Sequence, residues 1–235
     1  MKVKHSTKIH NKGDGVKMEK HVVVIFPHPD DEAFGASGSI AQFREQGVPV
    51  TYLCGTLGEM GRNMGKPTFA TRETLPQIRK KELVAACEEL DIEVKMLGYR
   101  DKTLEFESRD EIAADLLTYL QEIEPSLVIT HYPGHAVHPD HDAFGAAAIE
   151  AVSRMAPEKR PTVWAQAITN TRVDDLGEAD ISLDITPIFE KKLQTIKAHK
   201  SQAAGVLGSL NQSSGDIAEI VKKRLSTEQF YIWNF

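Results

Sequence analysis

The run Val22-Val23-Val24-Ile25-Phe26, followed at once by Pro27-His28-Pro29-Asp30-Asp31-Glu32, constrains this chain more than any other stretch. Consecutive apolar, mostly β-branched residues suit a fully buried strand, and such a strand needs a sheet around it. It delivers an imidazole and two adjacent carboxylates onto a proline-punctuated turn. Neighbouring carboxylates at a strand's carboxyl end repel and resist desolvation unless a metal or a proton settles them. The turn therefore reads as a site.

From there the chain alternates. Ala33 to Gln46 has a helical apolar face ending at Gly47, with Gly35 and Gly38 suited to close packing on the sheet or the site. Val48 to Thr56 is a second strand, and Leu75 to Leu90, Asp110 to Ile123 and Ala143 to Met155 are helices. Val94 to Tyr99 and Leu127 to Tyr132 are strands. Val163 to Thr169 and Ile181 to Thr186 are two more, separated by a turn over Asp174 to Gly177. Ile188 to Gln202 and Ile217 to Leu225 read as helices, and Phe230 to Phe235 as a terminal aromatic strand or arm. Alternating strands and helices imply an α/β fold with a parallel sheet, whose ligands gather at the carboxyl ends of the strands. The long loop from Gly55 to Pro76 is of a length that is usually functional.

A second cluster lies just past the Leu127 to Tyr132 strand. Four of the nine histidines, His131, His135, His138 and His141, occupy this short stretch, interleaved with Asp140 and Asp142. Two imidazoles and a carboxylate with an open position are the donors of a catalytic zinc site; iron(II) suits the same set, and an oxygen-only magnesium or calcium site does not. Spacing leaves open whether 131/135, 135/138 or 138/141 supplies the nitrogens.

Composition narrows partners and compartment. A net charge of −6 gives no broad electrostatic reason to bind nucleic acid or an anionic membrane, so a small-molecule partner is expected. Cys54 and Cys87 lie in apolar stretches and read as buried free thiols of a reducing, cytoplasmic setting. Residues 1–20 are polar, with neither a signal-type nor a membrane-spanning apolar run, and are read as a flexible extension ahead of a single domain over 21–235. An exposed aromatic tail would be a route to a homo-oligomer, although burial against its own sheet is the simpler expectation.

The pair Pro27-His28-Pro29-Asp30-Asp31-Glu32 and His138-Pro139-Asp140-His141 resembles the signature of the LmbE-like, or PIG-L, family of zinc-dependent de-N-acetylases, with similarity from about Lys20 to the C-terminus. Surrounding stretches, including Gly58-Glu59-Met60-Gly61-Arg62-Asn63, are most similar to its bacillithiol-biosynthesis deacetylases of the second type. The resemblance implies a Rossmann-like three-layer sandwich with a mostly parallel sheet. It implies removal of acetyl from an N-acetylglucosaminyl substrate, here N-acetylglucosaminyl malate. It also implies that His28, Asp31 and His141 hold zinc, that Asp30 is the general base, and that a protonated His138 stabilises the oxyanion. Asp140 would orient or charge one of the histidines. His199-Lys200-Ser201-Gln202 matches the family's His-x-Ser-Gln pattern, which puts His199 either at the substrate or exposed on the pocket rim. Glu59 and Arg62, with Arg72 and Arg100 behind them, are candidates to grip sugar hydroxyls or a carboxylate aglycone.

Two other classes of function compete. An amidase of bacillithiol S-conjugates, or a deacetylase of other N-acetylglucosaminides, would use the same chemistry. A non-catalytic sugar- or nucleotide-binding module would not need Asp30 beside a metal set, and no Gly-x-Gly-x-x-Gly follows the first strand.

Overall fold

The computed structural model describes residues 19–210 and 215–235, so most of the expected N-terminal extension lies outside the described residues. Strands β1 (Val22–Phe26), β2 (Val50–Cys54), β3 (Glu93–Met96), β4 (Leu127–His131), β5 (Thr162–Gln166), β6 (Ile181–Asp184) and β7 (Thr227–Ile232) form one sheet in the order β3-β2-β1-β4-β5-β7-β6. The first five are mutually parallel, with Val22 opposite Val50 on one side and Leu127 on the other. β7 runs antiparallel to both β5 and β6. This is the mostly parallel α/β sheet expected. β1 and β4 are central neighbours whose onward connections diverge, β1 toward β2 and β4 toward β5, which makes the crevice beyond their carboxyl ends the topological switch point.

Helices cover both faces, and the period of two along β1 decides which residue meets which layer. Val22, Val24 and Phe26 join a core with Ile40 and Phe43 of α2 (Ser37–Glu45) and Leu83, Cys87 and Leu90 of α3 (Leu75–Leu90), α1 being the short preceding helix Asp31–Gly35. Val23 and Ile25 pack on the opposite side with Ile112, Leu116 and Leu120 of α4 (Arg109–Ile123) and Phe144, Ala147 and Ala148 of α5 (Pro139–Ser153). Both cysteines are buried and free. Among the described residues no helix is long and apolar enough to cross a membrane.

Several boundaries differ from the sequence reading. The helix expected over 33–46 is two, α1 and α2, broken at Ala36. The break has a cause: Glu228 on β7 accepts the N–H groups of Gly38 and Ser39 at 2.9 and 2.7 Å, starting a second helix on a buried carboxylate that pairs with Lys192. A side chain on Gly38 would collide with Ile185, so close approach to the sheet layer explains that glycine. The expected turn at 174–177 is the end of the short helix α6 (Arg172–Leu176), stopped by Gly177 at φ 81°. The helix expected over 188–202 ends earlier, as α7 (Phe189–Ala198), and is followed by α8 (Ala204–Leu210) and α9 (Gly215–Leu225). Of the aromatic stretch expected over 230–235, Phe230 and Tyr231 are buried in β7, which ends at Ile232, while Phe235 beyond it is exposed, so burial against its own sheet holds for the first part alone.

Candidate metal and catalytic site

β1 and β4 end side by side and each hands the chain to a polar turn. After β1 the backbone passes through His28 and Pro29 into Asp30, whose φ of 107° is rare for a residue with a side chain. Asp31 then opens α1. After β4, His138 caps α5 by accepting the Asp140 N–H on Nδ1 at 3.1 Å, and Pro139 fills the first helical position, where no N–H is missed. The first turn of α5 thereby aims Asp140 and His141 at the β1 turn.

Hydrogen bonding fixes which ring nitrogens are free. His28 Nε2 lies 3.1 Å from Asp140 Oδ2 and 3.2 Å from Asp101 Oδ1, so it carries the proton and Nδ1 keeps a lone pair. His141 Nδ1 donates to the Ala136 carbonyl at 3.0 Å, which leaves Nε2 as the lone pair. Those two lone pairs face each other at 3.1 Å, with Asp31 Oδ1 3.1 Å from His141 Nε2 and Asp31 Oδ2 3.5 Å from His28 Nδ1. Three acceptors converging at these distances need a cation or a proton between them. Tetrahedral ligands at zinc distances of about 2.0–2.2 Å stand about 3.3 Å apart, which is this spacing. Donor atoms of His28, His138 and His141, and of Asp31, His131 and His141, form two overlapping groups, each tight enough to share one ion.

The same carboxylates draw a proton as well as a cation. Burial alone would lower the His28 pKa, but Asp101, Asp140 and Asp31 raise it well above the usual imidazole value. For Asp31 burial works upward and is overcome by His141, with His131 and His28 adding to the fall, so the carboxyl sits well below its usual range. Asp30 behaves oppositely: burial and the neighbouring Asp31 push it up to about 6 against the opposing Arg79 guanidinium, 3.3 Å from its Oδ2. The two adjacent aspartates are thus split, one held as an anion and one poised near neutrality. His138 is lowered, by burial first and then by the charges of His28 and His141. As a neutral ring accepting on Nδ1, it retains an Nε2–H donor.

Asp140 is fully buried, and besides His28 it accepts the N–H groups of Lys102 at 2.7 Å and Leu104 at 3.2 Å, so the histidine it orients is His28. His135 turns away to Thr169 Oγ1 at 3.1 Å, and His131 is stacked behind His141 at 4.1 Å, its pKa pushed down by burial to about 4. Glu59 accepts the Asp101 N–H at 2.8 Å on Oε1, while its buried Oε2 has no partner. Arg62, Arg72 and Arg100 are exposed, Arg62 on the loop that carries Glu59. His199 is neither on a rim nor open to a solute: it is wholly buried, with Nε2 2.6 Å from Glu32 Oε1.

Four contributors escaped the sequence reading. Asp101 lies past the end of β3, as His28 lies past the end of β1, and that position is the available signal. Glu32 sits inside the motif itself, and its Oε2 accepts the Asp30 N–H at 3.0 Å. Arg79 and Glu82 lie on the buried face of α3 beside Leu75, Leu83 and Ala86; charged residues on an apolar stripe were the clue. Arg79 bonds the Pro29 carbonyl and, at 3.0 Å, that of Gly58, whose φ of 61° and missing side chain let the guanidinium through.

Fold and cluster together define an α/β protein with a His/carboxylate metal cage at its switch point. The chain belongs to the PIG-L family, GlcNAc-PI de-N-acetylase, whose model matches residues 23–152. It is 51% identical over 219 residues, 93% of this chain and 100% of the relative, to the probable N-acetyl-alpha-D-glucosaminyl L-malate deacetylase 2 of Bacillus cereus. The protein of that name from Bacillus subtilis is 49% identical over 92% of this chain and 100% of its own length. Among solved structures, the N,N'-diacetylchitobiose deacetylase of Pyrococcus horikoshii superposes with a TM-score of 0.69 at 27% identity, covering 92% of this chain and 84% of that one. A 4-carboxy-2-hydroxymuconate hydratase from Pseudomonas superposes as well, TM-score 0.70 at 20% identity over 92% and 97% of the chains; this likeness is of fold alone, and reaction must be argued from the site.

Proposed function

We propose that the protein is a metal-dependent de-N-acetylase that hydrolyses the acetamide of N-acetylglucosaminyl L-malate, with residues 21–235 acting as one catalytic domain. The observation that carries this is the split aspartate pair: Asp31 facing two imidazole lone pairs, and Asp30 beside it with a pKa near 6. Likeness to the malate deacetylases over nearly the whole chain supports the choice of substrate.

His28, Asp31 and His141 would hold the ion, zinc first and iron(II) by the same donor logic. When bound it would supply Lewis acidity to the acetamide carbonyl and to water. Asp30 takes the proton of the attacking water, for which a pKa near 6 leaves it ionised at neutral pH and still basic. His138 donates from Nε2–H to the carbonyl oxygen as it gains charge, and a neutral imidazole suffices for that. The proton that Asp30 has taken is in place to be returned to the departing amine. Asp140 and Asp101 hold the His28 ring, and so aim its Nδ1. Arg62 meets the malate carboxylates, and Glu59, part-exposed on the same loop, a sugar hydroxyl. The substrate is thus a soluble, small N-acetylated amino sugar, and the setting is cytoplasmic, as its two buried free thiols allow.

The test is acetate release from N-acetylglucosaminyl malate, run beside N,N'-diacetylchitobiose and a bacillithiol S-conjugate, on protein of measured metal content. Activity with one ion per chain and a preference for the malate glycoside is expected. Preference for the S-conjugate would make it the amidase, and absence of hydrolysis of all three would overturn the reading.

A further inference from the structure

The His-x-Ser-Gln stretch has no direct part in the chemistry above, yet its side chains reach two separate pieces of the site. His199 Nε2 bonds Glu32 Oε1 at 2.6 Å, and Glu32 Oε2 accepts the Asp30 N–H at 3.0 Å, so one buried carboxylate joins His199 to the base. Three residues on, Gln202 Nε2 donates to the Arg62 carbonyl at 2.9 Å, and the Ser201 carbonyl accepts the Met64 N–H at 2.7 Å. Both bonds fasten the loop that carries Glu59 and Arg62. Ser201 is itself fixed by Glu82, which accepts from its N–H at 2.8 Å and its hydroxyl at 2.6 Å. Glu82 stands one turn beyond Arg79, the residue that bonds the Pro29 and Gly58 carbonyls and flanks Asp30.

A residue other than glycine keeps a φ of 107° only where its surroundings over-determine it. At Asp30 the Glu32 carboxylate holds the N–H, Arg79 holds the preceding carbonyl, and the Asp30 carbonyl accepts from Ala33 and Phe34 at 3.0 Å each. Glu32 is wholly buried and would lose its own orientation without His199.

We infer that His199 to Gln202 is a positioning clasp that sets the base and the substrate loop in register, His199 through Glu32 for Asp30, and Gln202 for the Arg62 loop. The inference rests on Asp30 being the base and Arg62 meeting substrate. It separates two readouts that a merely structural segment would not separate.

Steady-state kinetics on the malate glycoside test it, with bound metal and melting temperature measured on each variant. His199→Asn, too short to reach Glu32, should lower kcat about 10- to 100-fold with KM and bound metal close to wild type, as loss of an outer-shell partner does. His199→Gln, which can still donate to Glu32, should recover most of that loss. Gln202→Ala should raise KM about fivefold, the worth of one neutral hydrogen bond, with little change in kcat. The clasp is overturned if the two sites give the same kcat and KM pattern, if Gln at 199 is no better than Asn, or if the changes appear only in melting temperature. Should Asp30→Asn keep near wild-type turnover, the base assignment fails instead, and the Gln202 effect on KM stands apart from it.

Discussion

The floor of the site and the wall beside it are built by different means. The floor, at the ends of β1 and β4, takes His28, Asp30 and Asp31 from one contiguous motif and His138, Asp140 and His141 from another, and most of their polar atoms bond one another. The wall is the loop between β2 and α3, where Arg62 is exposed and Met64 and Phe69 are half exposed. It is held by residues far away in the chain: Asp101 at Glu59, Arg79 at Gly58, Ser201 at Met64 and Gln202 at Arg62. Strand ends in a parallel sheet are fixed by the ladder beneath them, so the groups that need sub-ångström placement sit there; a loop fixed by a few bonds can change to suit a substrate without disturbing them. Floor substitutions should therefore strike kcat and metal, and wall substitutions KM.

The largest effect is expected at a ligand. His141→Ala removes one of three converging acceptors, so stoichiometric metal should be lost and turnover should fall by more than about 10³-fold, beyond the worth of a single oxyanion donor. Elemental analysis after dialysis decides it. Full metal retention would show that a neighbouring imidazole takes over, and His131, stacked at 4.1 Å, is the one in place. Next comes Asp30→Asn, which should keep metal and KM while kcat falls by about 10²- to 10⁴-fold, the usual worth of a general base. Turnover within a few fold of wild type would move the base elsewhere on the floor.

The same contrast decides what was legible in the sequence. Five apolar residues and a His-Pro-Asp-Asp turn announce a buried strand with a site at its end, and a histidine-rich stretch after another strand announces its partner, because both are local patterns. The alternation of strands and helices gave the parallel sheet for the same reason. Nothing local says that Asp101 will meet His28 or that Arg79 will lie against Asp30; those meetings depend on crossover lengths and on which face of α3 turns inward. His199 is the instructive case. Its motif drew attention to it, but only the burial of α7's end, and a carboxylate already waiting there, turned an expected substrate contact into an inward-facing bond. The break at Ala36 was hidden likewise, since its cause is Glu228 on the last strand.

On the wall, Arg62→Ala should raise KM for the malate glycoside about 10- to 100-fold with kcat nearly unchanged, as loss of hydrogen bonds to a charged group does. Arg62→Lys should recover part of this, because an ammonium supplies the charge without the planar fork. The effect should vanish with N,N'-diacetylchitobiose, which has no carboxylates. An equal loss with both sugars would mean that Arg62 acts on the floor and would blur the division drawn here.

The smallest effect probes a residue that touches both regions. Arg79 lies 3.3 Å from Asp30 Oδ2 and bonds the Gly58 carbonyl of the wall, and its charge opposes the burial that lifts the Asp30 carboxyl to about 6. Activity requires Asp30 ionised, so it rises as pH climbs through that value. Arg79→Gln removes the cation, the acid form gains, and the rising limb should move to higher pH by about one unit, the lower end of what an adjacent opposite charge does. At the midpoint of the wild-type limb that leaves activity about fivefold below wild type, while on the plateau above pH 8 the two should nearly coincide. A cation held by Asp31 lowers the limb in both proteins, so the separation between their profiles is the quantity to measure. Superimposable profiles would assign the limb to a group out of reach of Arg79, and a uniform loss at every pH would make Arg79 a brace for the loop and not an electrostatic partner of the base.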